Sequence, residues 1–159
     1  MKSAYVGDSY DAVKRLWQQV FAEWAPLYAN RQFIPDDIQS EFTCLTGVPM
    51  LCRTPSGPYS VLNDPDTGVR LPDEGNQSES RKHIMLATIC GQLRQEAARA
   101  VVTFDQSDYR HSKLKLDEQR RTKMRYLAAS GLFAFYYVSH DFFSHFPARI
   151  RDRSFGSAC

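Results

Sequence analysis

Two continuous apolar runs constrain this chain more than any other feature. Ala100-Val101-Val102-Thr103-Phe104 and Leu132 to Val138 are too short for buried helices and show no alternating polar face. Strands of that kind are covered on both sides, as in the parallel sheets of α/β proteins. Between them Lys113 to Ser130 has helical spacing and stops at Gly131, so the three segments read as a β-α-β unit with a right-handed crossover. The two strands are expected to be adjacent or near-adjacent, parallel and interior. Extended along the chain, this gives an α/β fold: a single three-layer, Rossmann-like domain over residues 1–148, with a mainly parallel sheet and helices on both faces. A basic tail from Arg149 to Cys159 is expected to fray.

The other segments fit that frame. Ala4-Tyr5-Val6 reads as a short buried strand that turns at Gly7-Asp8-Ser9 into a helix with Val13, Leu16, Trp17, Val20, Phe21 and Trp24 as its apolar positions. Pro35-Asp36-Asp37 suits the start of a second helix, Ile38, Phe42 and Leu45 its buried side, and Gly47 its exit. Short strands, either of them a candidate edge, are expected at Pro49 to Cys52 and Tyr59 to Leu62. A long polar loop is expected from Gly68 to Arg81, and a helix from Leu86 to Ala98.

With 159 residues the chain is long enough for one real core, and 43% hydrophobic content supports it. A formal charge of +2 permits a phosphate-bearing partner, small molecule or nucleic acid, without the strongly basic balance of a non-specific nucleic-acid binder. The four cysteines, Cys44, Cys52, Cys90 and Cys159, have neither CxxC nor zinc-site spacing and read as reduced thiols. No signal-peptide core and no apolar run near the length of a membrane span is present, so a cytoplasmic location with no membrane partner is expected.

Candidate chemistry lies where the strands end. Gly7-Asp8-Ser9, Asn63-Asp64-Pro65-Asp66-Thr67-Gly68, Asp105-Gln106-Ser107 and Ser139-His140-Asp141 each follow an expected strand, and in a parallel sheet those ends share the carboxyl edge where ligands bind. Crowded carboxylates repel, so a cluster of Asp64, Asp66 and Asp105 would need a cation, and oxygen ligands select Mg²⁺ or Mn²⁺. Such an ion would serve phosphoester hydrolysis, with Asp8, Asp105 and His140 as catalytic candidates and Ser9, Thr67 and Ser107 as groups that bind the ligand. The competing readings are a helix cap for Asp8, a turn for Asp64 to Gly68, and a binding module with no catalysis. The run Lys113 to Arg125, six basic residues against two acidic, is either a face for a phosphate backbone or the solvated side of a helix that buries Leu116, Met124 and Leu127.

The segments Gly7-Asp8-Ser9-Tyr10-Asp11, Asp64-Pro65-Asp66-Thr67-Gly68, Phe104-Asp105-Gln106-Ser107 and Val138-Ser139-His140 resemble a group of small bacterial proteins without assigned activity. Val101 to Tyr109 also resembles the late strand and acidic turn of PIN-type ribonucleases, with Asp8 matching their first aspartate; Lys82-His83 stands where those enzymes have an aspartate opening a helix. Leu62 to Thr67 is similar to the nucleophile loop of haloacid-dehalogenase-like phosphatases, although the threonine comes one position early and the strand is not the first. The latter two resemblances imply phosphoester chemistry at aspartates.

Overall fold

The computed structural model describes residues 7, 9–70, 81–105, 113–137 and 142–147, with 113–115, 137 and 142–147 described by their backbone alone. In chain order the elements are α1 (Ser9–Phe21), β1 (Leu27–Ala29), α2 (Gln39–Thr46), β2 (Tyr59–Asn63), β3 (Gly68–Arg70), β4 (His83–Met85), α3 (Leu86–Leu93), β5 (Ala98–Phe104), α4 (Lys113–Ala129), β6 (Leu132–Tyr137) and β7 (Phe142–Pro147). The main sheet has the order β1-β2-β5-β7-β6, and β3 and β4 form a separate parallel ladder. The fold is α/β, with β1, β2 and β5 running parallel.

Side chains alternate across these strands. Leu62, Ala100, Val102 and Phe104 pack on one face with Phe21 of α1 and Phe42 of α2. Tyr59, Val61 and Val101 pack on the other with Ile89 and Leu93 of α3 and Leu127 of α4. A register shift at Tyr59/Ser60 keeps Ala98 on the same face as Val101. The expected layers, helix over sheet over helix, are therefore present.

Several expectations change in detail. β6 runs in the same direction as β5, but β7 lies between them, antiparallel to both, so β6 is an edge and not interior; its Phe133 is 61% exposed. β2 is interior, between β1 and β5, with all its residues buried, and Pro49 to Cys52 shrinks to one bridge between Met50 and Ala29. The expected loop from Gly68 begins as β3, and the helix from Leu86 ends at Leu93 because Ala98 already pairs with Tyr59. On α1, Leu16 and Val20 face outward, and Trp24, past its end, is exposed; Tyr10, Val13, Trp17 and Phe21 form the stripe that packs. Leu45 of α2 is likewise exposed, whereas Ile38 and Phe42 are buried as expected.

Two glycines hold turns that other residues resist. Gly47 ends α2 with φ +72°, its N–H donating to the Thr43 carbonyl, and Gly68 opens β3 with φ +106°. The expected strand at Ala4 to Val6 and the tail from Arg149 lie outside the described residues. Among the described residues no helix is long and apolar enough to cross a membrane. Cys44 and Cys52 are exposed free thiols and Cys90 is a buried one.

Candidate functional site at the carboxyl edge

β2 and β5 pair in register through Asn63 and Thr103, so the residues that follow them, Asp64 and Asp105, emerge together at the carboxyl edge. Alternation sends the two carboxylates to opposite faces. Asp64 continues the Leu62 face and meets Lys14 of α1, whose Nζ is 2.9 Å from Asp64 Oδ2. The same ammonium donates to Asp11 Oδ1 at 2.9 Å, and Asp11 Oδ2 accepts from the Gly7 N–H at 2.7 Å. Lys14 also lies 5.4 Å from the Phe42 ring centre and 5.2 Å from that of Phe104. Burial alone lowers its pKa, but Asp64 and Asp11 outweigh burial and the net displacement is upward.

Asp105 continues the opposite face and is 1% exposed. Its Oδ2 accepts from Lys123 Nζ of α4 and from the Tyr136 hydroxyl of β6, both at 2.7 Å, while Oδ1 accepts from the Val69 N–H at 2.9 Å. One carboxylate thus fastens the β3–β4 ladder, α4 and β6 to the end of β5. That ladder carries Arg70 at the end of β3 and sets Arg81 and Lys82 immediately before β4. Thr67 donates its hydroxyl proton to the Lys82 carbonyl, bonds the His83 ring, and takes the same carbonyl through its own N–H at 2.8 Å. The Asp66 N–H donates to the Arg81 carbonyl at 3.3 Å.

Between the two ion-paired faces the edge holds a neutral network. Asn63 Nδ2 donates to Gln92 Oε1 at 2.8 Å and to Thr103 Oγ1 at 3.3 Å. Asn63 Oδ1 accepts from Asn30 Nδ2 at 3.0 Å and from Gln92 Nε2 at 3.1 Å. Both donors and both acceptor positions of this buried amide are satisfied, which fixes its orientation.

Of the candidate residues, Asp64, Asp66, Thr67 and Asp105 reach this edge, and Ser9 is the exposed first residue of α1. Asp8, Ser107 and His140 lie outside the described residues. Asp64, Asp66 and Asp105 do not converge as one ligand set: Asp64 and Asp105 face opposite sides and each engages a lysine. Among the described residues no group of three His, Cys, Asp or Glu side chains is placed to hold a metal ion.

The lysines themselves were not anticipated. Lys14 and Lys123 are each 3% exposed, yet in the sequence Lys14 looks like a surface partner of Asp11 and Lys123 is one of six bases in a polar run. The basic helix consequently divides. Lys123 points inward, Arg120 stacks 5.6 Å from the Tyr136 ring centre, and Arg121 and Arg125 face solvent. Leu127 is buried, while Leu116 and Met124 are only half-buried. No protein-family model matches the chain, and no curated protein or solved structure matches it.

Proposed function

We propose that this domain is a binding module for a phosphate-bearing small molecule of nucleotide type, held at the carboxyl edge of β1, β2 and β5, and that it works without a metal-dependent hydrolytic step. The observation that carries the reading is the bond from the Val69 N–H to Asp105 at 2.9 Å. It ties the β3–β4 ladder to the edge where ligands of α/β sheets bind, with Arg81 and Lys82 at the start of that ladder and Arg70 at its far end. Guanidinium and ammonium groups are the usual partners of phosphate oxygens. The exposed Thr67 and half-buried His83 stand beside them with groups able to contact the same anion.

The carboxylates take a different part from the one the sequence implied. Repulsion among aspartates is what would call for a divalent ion, and here Lys14 and Lys123 already answer it from inside the protein. Asp105 and Asp64 act as anchors for the surrounding elements, leaving recognition of the anion to the ladder.

Thermal unfolding tests the reading. With EDTA present, millimolar pyrophosphate or a nucleoside triphosphate should raise the midpoint of the wild type, because a ligand that binds only the folded state stabilises it. Arg81→Ala with Lys82→Ala, two exposed positions, should remove that rise without lowering the unliganded midpoint by more than a degree or two. A rise produced by Mn²⁺ alone and abolished in Asp66→Asn, together with Mn²⁺-dependent hydrolysis of an aryl phosphodiester, would restore the phosphoesterase reading in its place.

A further inference from the structure

A second feature of the α3 face extends this reading. Between α3 and the segment that follows Met50 runs an open groove of about 400 Å³, within the range of small-molecule sites. Its lowest parts are the buried Tyr59 and Val61 of β2, and its rim carries Thr54, Gly91 and Gln95, with Thr88 and Gln92 along the helix. Every lining residue is uncharged. Among the described residues the groove therefore offers amide and hydroxyl groups above an apolar and aromatic floor and nothing that selects an ion. Burial raises the pKa of the Tyr59 phenol.

Gly91 marks the groove as open by construction. Its φ lies outside the left-handed region, so the backbone does not require glycine, and a Cβ added there would meet nothing within 4 Å. Within a helix glycine is less favourable than alanine, so the sequence gives up helix stability to leave that wall bare. Gln92 joins the groove to the carboxyl edge, because its amide exchanges two hydrogen bonds with Asn63. The basic ladder lies on the same face: Val69 and Ile84 pack in one core with Tyr59, Val61 and Ile89, and β4 runs into α3 without a break. From the end of β4, where Arg70 of β3 lies opposite Met85, the chain rises roughly 9 Å along α3 to Gly91, within the length of a mononucleotide.

We infer that the groove is the base subsite of the proposed ligand: it takes an uncharged, hydrogen-bonding ring of nucleobase size while the phosphates lie toward the β3–β4 ladder. This rests on the phosphate-binding reading, and the two fail separately. The test measures affinity for four unphosphorylated nucleosides, for pyrophosphate and for the matching nucleotides by calorimetry. It uses the wild type, Gly91→Trp and Gln95→Ala, with far-ultraviolet circular dichroism confirming the fold of each variant. At least one nucleoside should bind the wild type at millimolar concentration, and its nucleotide should bind at least tenfold more tightly. Gly91→Trp should weaken both by tenfold or more and leave pyrophosphate binding unchanged; Gln95→Ala should weaken the nucleoside several-fold. Should Gly91→Trp fail to fold, the exposed Gln95 site still decides. Pyrophosphate binding by the wild type with no nucleoside binding, or nucleoside affinity equal in all three proteins, overturns the groove and spares the phosphate reading. Nucleoside binding lost in Gly91→Trp, with no pyrophosphate binding in the wild type, upholds the groove and overturns the phosphate reading.

Discussion

The two faces of the sheet solve the same problem in opposite ways. On the α1 side a single ammonium, Lys14, is shared by two carboxylates, Asp11 and Asp64, and lies over two aromatic rings. On the α4 side a single carboxylate, Asp105, is shared by an ammonium, a phenol and a backbone N–H. Among the described residues the first cluster sets two carboxylates about one ammonium, and the second sets one ammonium against one carboxylate. A buried charge is tolerable only when its partners complete both its charge and its hydrogen bonds. Here the surplus of partners falls on opposite signs. The cation-centred site ties one helix to β2, whereas the anion-centred site ties two elements and a separate ladder to β5, so the second sets the position of the proposed binding groups.

The largest effect should come from removing the shared cation. Lys14→Met takes away the ammonium that the buried Asp11 and Asp64 share, and the loss should be about the 3–5 kcal/mol typical of a broken buried pair. Urea unfolding should show it exceeding the loss in Lys123→Met, which strands only one carboxylate that still accepts from Tyr136 and Val69. Equal losses would break the comparison.

Smaller changes sharpen it. Tyr136→Phe removes one of three donors to Asp105 and should cost about 1–2 kcal/mol, as for a hydrogen bond to a charged group. Asp11→Asn should cost less, about 1 kcal/mol or under, because Lys14 keeps Asp64 and the new side chain can still accept from Gly7. If Asp11→Asn proves the costlier, the Asp64 carboxylate alone does not suffice for Lys14 and the ranking fails.

The smallest effect is on pH dependence. Lys14 is held above its ordinary pKa, so the charged form binds the fold more tightly than the neutral one. Its contribution is complete below the unfolded value of about 10.4 and is lost as pH rises through the folded value. Urea midpoints compared between pH 9 and 11 should fall more steeply in the wild type than in Lys14→Met.

The sequence carried the fold further than the site. Helix α4 and strands β5 and β6 were legible because each is long enough for its period to show, and α2 because Pro35 and Gly47 punctuate it. Leu27-Tyr28-Ala29 and His83-Ile84-Met85 are too short to display a period, and β7 shows no run that separates it from a loop. Of the apolar positions read for α1, Val13, Trp17 and Phe21 pack and Leu16, Val20 and Trp24 do not, because the two sets have the same helical spacing. Spacing defines a face without saying which of two faces the sheet will cover.

Asp64, Asp66, Thr67 and Asp105 could be placed at one edge from sequence alone, since residues that follow parallel strands end there whatever their partners are. What those aspartates do was decided in three dimensions. Strand alternation separates Asp64 from Asp105, and the cations that meet them come from α1 and α4, elements on opposite faces of the sheet. A lysine in a polar helix reads the same whether it faces water or a buried carboxylate, because local pattern records its charge and not its counter-charge. Only the packing of each helix against the sheet determines which of those two environments it enters.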